Sequence, residues 1–217
     1  MKTVCSMLAV VALAMAGAAC AGTVQVTVTD KEGKPVADVV VLLDATRRTT
    51  LRPADEPVVI LQEGLRFVPF LTVVPAGTTL RFVNRDEYDH HVRSVPSGPL
   101  GAVAPVASFE FRLAAAAPKK PAASMGEVVV NTSGPIGLGC HIHSSMRGQV
   151  YVAATPWYAK TNAQGVAVID GVPDGAAELR LWHSDQLQDQ AVVPLTVTSA
   201  GLKSDAVLNF TPRRRRS

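Results

Sequence analysis

Apolar and polar residues alternate early in the chain, where Val24, Val26 and Val28 are separated by Gln25, Thr27 and Thr29. A period of two predicts a strand with one buried and one wet face. After the turn Asp30-Lys31-Glu32-Gly33-Lys34-Pro35, a continuous apolar run from Val36 to Leu43 predicts a second strand, and residues 45–57 read as a polar connection. Further strands are predicted over Val58–Leu61, Phe67–Val74, Thr79–Val83, Val106–Leu113, Glu127–Asn131 and Gln149–Ala153, with Ala114–Ala123 a loop. Beyond Pro156 the pattern adds Val166–Ile169, a turn over Asp170–Gly175, and strands over Ala177–Trp182, Val192–Val197 and Ala206–Phe210. No segment has convincing helical periodicity over ten residues, and Gly and Pro punctuate the whole, so the fold class expected is all-β.

Composition supports a packed fold. Of 217 residues, 47% are hydrophobic and 18% charged, which excludes disorder along the whole chain. Residues 1–21, MKTVCSMLAVVALAMAGAACA, combine Lys2, an apolar run from Met7 to Ala16 and the A-x-A pattern Ala19-Cys20-Ala21. They read as a secretory signal peptide. A lipid anchor at Cys20 is the rival, opposed by Gly17 where such signals usually carry Leu. No other segment is long and apolar enough to span a bilayer.

Export simplifies both charge and cysteine content. Of Cys5, Cys20 and Cys140, only Cys140 remains in the mature chain. The formal net charge of +3 becomes +2 without Lys2, and −2 for the body without Arg213–Arg216. The positive balance belongs to the ends, so it excludes no partner and demands no nucleic acid. Residues 212–217 read as a solvated basic tail.

Four of the five histidines form two tight pairs, His90-His91 and His141-His143, and the second pair flanks Cys140. Cys140, His143 and Met146 follow one another at three-residue intervals, which lets thiolate, imidazole and thioether wrap one ion. Two His and one Cys with a weak axial Met suit copper in both oxidation states. The second His must come from elsewhere, and His90 and His91 are both candidates. Met is a poor zinc ligand and the mature chain has one Cys, so zinc fits less well. His141 reads as a solvent-facing loop residue, and His183, after Trp182, as a buried structural one.

Cys140-x-x-His143-x-x-Met146-Arg147-Gly148-x-Val150 resembles the copper loop of the amicyanins, within the plastocyanin-like cupredoxins. Asn84-Arg85-Asp86-x-x-x-His90-x-Val92, with Phe82 before it and Pro75-Ala76-Gly77-Thr78 upstream, resembles the family's other ligand motif. The resemblance covers residues 66–153. It implies a single type 1 copper site with His90 and His143 as nitrogen ligands, Cys140 as thiolate and Met146 as axial ligand. One departure is His91, where the family usually has an Asn that braces the Cys loop, and it leaves His91 open as an alternative ligand.

Both flanks resemble a different module. Gln25–Val41, together with Thr161–Val168 and Val172–Leu181, is similar to transthyretin-like or carboxypeptidase-regulatory-like sandwiches. The expected organisation is therefore a signal peptide over 1–21, a cupredoxin domain over 52–153 and a second small β-sandwich split between 23–50 and 154–211. The fold class becomes a Greek-key cupredoxin sandwich inserted in, or flanked by, that second sandwich. The arrangement resembles periplasmic proteins of the methylamine-utilisation type.

The function these resemblances imply is a periplasmic or secreted blue copper protein that carries single electrons. Its partner would be a transient redox protein such as a cytochrome or a dehydrogenase, with no nucleic acid and no integral membrane span. Pro135, Ile136, Leu138 and Ile142 are candidates for its docking patch. Copper carriage or storage without electron transfer is the alternative. An enzyme is not expected: the extra His ligands of a further catalytic metal are missing, as is any Ser-His-Asp or paired-carboxylate motif.

Overall fold

The computed structural model describes residues 21–47, 49–116 and 124–213. The signal-peptide reading of residues 1–20, part of the loop expected over 114–123 and the last four residues of the basic tail lie outside them. The structure is all-β. Its strands are β1 (Ala21–Thr29), β2 (Val40–Ala45), β3 (Val58–Gln62), β4 (Phe67–Val68), β5 (Leu71–Pro75), β6 (Thr78–Asn84), β7 (His90–Val95) and β8 (Glu110–Leu113). They continue as β9 (Met125–Val130), β10 (Gly134–Cys140), β11 (Arg147–Ala153), β12 (Tyr158–Lys160), β13 (Val166–Pro173), β14 (Gly175–Trp182), β15 (Val193–Val197) and β16 (Leu202–Val207). Among the described residues the only helical turn is 3₁₀, at Pro99–Gly101, and no helix is long and apolar enough to cross a membrane.

Strands from the two ends of the chain pair with one another. One sheet has the order β13-β1-β16 and another β12-β2-β14-β15. They close over a core that includes Val24, Val26, Val28, Val41, Leu43, Leu179 and Leu208. The middle of the chain forms the sheets β5-β11-β10-β7-β8 and β4-β3-β6-β9, around Ile60, Leu80, Phe82, Val92, Ile136, Leu138, Met146 and Val150. We call these the outer and inner sandwiches.

A third cluster joins them. Val40, Leu42 and Trp182 of the outer sandwich meet Leu71 and Ala153 of the inner one, with Tyr151 packed on Trp182 at a ring separation of 5.0 Å. This explains the unbroken apolar run at Val39–Leu43. Val41 and Leu43 face the outer core while Val40 and Leu42 face the junction, so β2 is buried on both sides.

Several elements differ from their sequence-based expectation, the first three for a local reason. The strand expected over Val36–Leu43 starts at Val40, because Pro35 makes only an isolated bridge to Thr29 and Asp38 has φ 59°. The run Phe67–Val74 divides at Pro69, which has no amide hydrogen to donate, and its halves join opposite sheets. The turn expected over Asp170–Gly175 is bypassed by a bulge: Gly22 pairs with Val172 and Val24 with Ile169, so β13 runs on to Pro173. The strand expected over Val106–Leu113 forms only from Glu110, and the one expected over Ala206–Phe210 forms earlier, over Leu202–Val207.

Strands β7, β10 and β12 were not expected at all. β7 carries histidines where a strand ordinarily carries aliphatics, and β10 reads Gly-Pro-Ile-Gly-Leu-Gly-Cys. Those glycines have a steric cause: a Cβ at Gly137 would lie 2.7 Å from the carbonyl oxygens of Val95 and Pro96 on the strand alongside. β12, three residues long, is too short to show a period.

Candidate metal centre

The sheet register gathers the candidate ligands at one end of the inner sandwich. β7 starts at His90 and runs antiparallel to β10, which ends at Cys140, with Cys140 opposite Val92. Cys140 therefore closes a strand and does not sit on a loop, as the sequence pattern suggested. A short turn follows and is closed by the Met146 amide donating to the His143 carbonyl at 3.0 Å, after which β11 begins. Gly148 is required there, because a Cβ would meet the Phe67 ring at about 3 Å.

His90, Cys140 and His143 converge, with one potential ligand atom from each lying within 4.8 Å of the others. Cys140 Sγ is 3.7 Å from His90 Nδ1 and 3.7 Å from His143 Nδ1, and the two Nδ1 atoms are 3.1 Å apart. A single ion at about 2.0 Å from each nitrogen and about 2.3 Å from sulfur can span all three edges. His90 is fully buried, Cys140 nearly so, and His143 half-buried. Met146 is 1% exposed and belongs to the same apolar cluster as Cys140.

Asp86 fixes the orientation of His90. Its buried carboxylate accepts from His90 Nε2 at 2.8 Å and from the amides of Gly64 and Leu65 at 2.7 and 3.1 Å. A carboxylate on Nε2 places the ring hydrogen there and leaves the Nδ1 lone pair facing Cys140 and His143. Burial alone would raise the Asp86 carboxyl. The hydrogen bonds from His90 and from the Leu65 and Gly64 amides outweigh it and hold the pKa below its ordinary value.

Asn84 in turn fixes Asp86. Its Oδ1 accepts from the Asp86 amide at 2.9 Å, and its Nδ2 donates to the carbonyls of Tyr88 and Ala114 at 2.8 and 2.9 Å. Sequence reasoning placed Asn84 and Asp86 in the upstream motif but missed these roles. The available signal was an acid four residues before a candidate His.

The structure also separates His90 from His91. The His91 ring turns away, with Nε2 2.6 Å from Glu110 Oε1, while its amide points at Cys140 Sγ, 3.4 Å away. His91 thus approaches the cluster through its backbone, and the alternative of His91 as a ligand finds no support in this geometry. His141 is exposed, with its ring 5.5 Å from that of His91, and His183 is 3% exposed.

The docking patch expected from sequence needs correction. Ile136 and Leu138 are fully buried in the inner core, because even positions of β10 face inward, and Pro135 is half-buried. Of that set only Ile142 is exposed, at 49%. Tyr88, equally exposed, packs edge-on to His143 at 5.9 Å. Tyr88 and Ile142 are thus exposed apolar residues next to His143, one in ring contact with it and one before it in sequence.

No family model matches the chain, and no curated protein does. Similar solved structures include an oxidised variant of amicyanin, at 20% identity over 46% of this chain and 85% of that one, with TM-score 0.35. A purple cupredoxin from Nitrosopumilus maritimus aligns at 20% identity over 44% of this chain and 99% of that one, with TM-score 0.36. A Cu(I) form of another amicyanin variant aligns at 18% identity over 52% and 98%, with TM-score 0.35. Two facing sheets, with His90, Cys140 and His143 gathered at one end, make the inner part an all-β sandwich with a candidate metal centre.

Proposed function

We propose that the protein is an exported type 1 copper protein that carries single electrons between redox partners, in which His90, Cys140, His143 and Met146 would hold the ion. The observation that carries this reading is the triangle of two imidazole Nδ1 atoms and one thiol sulfur, built on two strands and one turn. Copper held there supplies a one-electron couple between Cu(I) and Cu(II). The chain's own part is to keep the donor set in one arrangement for both states. His90 is pinned by Asp86, Cys140 receives the His91 amide, and the tight 141–146 turn limits movement of His143. Burial excludes bulk water, and the half-buried edge of His143 offers a path for the electron beside Tyr88 and Ile142.

The organisation we propose is a cupredoxin domain over 52–153 inserted into a transthyretin-like sandwich made of 23–50 and 154–211, following a signal peptide that directs the chain to the periplasm. The pairing of β1 with β13 and β16, and of β2 with β12 and β14, supports it. The partner is a transient redox protein such as a cytochrome or dehydrogenase, and the role is that of a carrier, not a catalyst.

Reconstitution of the mature protein with Cu(II) tests the reading. An intense thiolate-to-copper band in the visible spectrum, lost in Cys140→Ser, is the expected result. A colourless protein that prefers zinc would overturn it.

A further inference from the structure

A cleft of about 760 Å³ opens beside Cys140 and His141. Its inner wall includes Arg93, Cys140, His141 and Arg147, and its outer wall Asp185 and Arg213. The register explains the inner wall. Gly139 lies opposite Arg93 on β7 and opposite Arg147 on β11, so the two arginines flank it on one face of the sheet. Further along that face Tyr151 and Ala153 are covered at the junction with the outer sandwich, which leaves the copper end of the face open.

The cleft is unbalanced in charge. Arg93, Arg147 and Arg213 are all exposed, and among the described residues none of them forms an ion pair. The one carboxylate in the lining, Asp185, accepts the Arg213 backbone amide at 2.9 Å. Glu110, opposite Arg93 on β8, is engaged by His91 at 2.6 Å. That bond to Asp185 also brings Arg213 to the rim. Leu100, 98% exposed at φ 62°, stands on the same rim and offers an apolar contact among the charges. Three cations around one cleft repel one another until an anionic surface neutralises them.

We propose that this cleft, with one wall from each sandwich, docks the acidic face of one of the two redox partners against the Cys140 side of the metal centre, leaving the His143 edge to the other. The proposal rests on the electron-carrier reading and gives the outer sandwich a task within it. The arginines steer an acidic protein by long-range attraction, so the encounter weakens as salt is added.

The redox-inert, paramagnetic trianion hexacyanochromate(III) maps the site on metal-free, nitrogen-15-labelled protein. Broadening centred on the amides of Arg93, His141, Ser144 and Arg147 is expected, and broadening confined to other basic residues would overturn the proposal. Copper-loaded, reduced protein is then oxidised by hexacyanoferrate(III) and by the cation tris(phenanthroline)cobalt(III). Arg93→Gln combined with Arg213→Gln should slow the anionic oxidant about five- to tenfold at low salt and leave the cationic one unslowed. Equal slowing of both would refute steering by the cleft. Phosphatidylglycerol vesicles that shield the same amides would assign the cleft to a membrane surface and also refute it. The mapping needs no copper, so failure of the metal reading and failure of the docking surface are read separately.

Discussion

The two sandwiches solve the same packing problem with different vocabularies. The outer one is written in plain alternation: Val24, Val26 and Val28 point inward from β1, and Leu179 and Leu181 from β14. The inner one spends its equivalent positions on chemistry. His90 occupies the inward site that starts β7 and Cys140 the one that ends β10, with Met146 behind the turn. Polar support then follows, because a buried His needs Asp86, and Asp86 needs Asn84 and two backbone amides. The outer core buries polar groups too, such as Thr155 and Thr161 on backbone partners, but only the inner core builds its polar network around candidate metal ligands.

Separating the two cores should produce the largest effect. Trp182→Ala empties the junction beside Tyr151 and Leu42, with an expected loss of about 3–5 kcal/mol. Calorimetry should then resolve two transitions, and an unsplit transition would mean that the cores melt as one unit without the junction. Leu43→Ala, confined to the outer core, should cost about 2–5 kcal/mol in chemical denaturation. The copper band of that variant should stay where it is. A shifted band would show that the outer core shapes the metal end.

Inside the inner sandwich, Asp86→Asn keeps the size of the side chain and removes its charge. Copper affinity should fall by about 10–100-fold, with a higher reduction potential as His90 becomes a weaker donor. If competition with a chelator and voltammetry both match the parent, Asp86 serves only the Gly64–Leu65 turn.

The smallest effect concerns pH at the junction. Burial raises the phenols of Tyr151 and Tyr158 above the ordinary value of 10.0. Their stabilising contribution is therefore complete below that pH and is lost as pH rises through the raised values. An alkaline absorbance titration should show late-ionising phenol, with less of it in Tyr158→Phe.

Legibility in the sequence follows the same division. The β1 strand and the β2 run could be read because apolar side chains repeat where the backbone puts them. β7 and β10 could not, since His90 and Cys140 stand at inward positions and the glycines of β10 answer the close approach of β7. The cluster itself was legible for the opposite reason: Cys, His and Met at three-residue intervals have few other uses. What the sequence withheld was tertiary, namely that Ile136 and Leu138 face inward and that Arg213 reaches the cleft beside Cys140. The −2 balance of the folded body likewise conceals a positive cleft.

The parallel pairing of β1 with β16, from Val24 opposite Leu202 to Thr29 opposite Val207, has a consequence for assembly. A chain emerging from its N-terminus presents β1 and β2 first, and their partners β12–β16 arrive only after the whole inner sandwich has followed. Until then the inward faces of Val24–Val28 and Val41–Leu43 stay open to water. Bringing the ends together costs little extra entropy once the intervening stretch is compact. The outer sandwich is thus a clasp that shuts last, and a chain halted before β16 would display sticky, unpaired strand edges to every quality-control factor in its compartment.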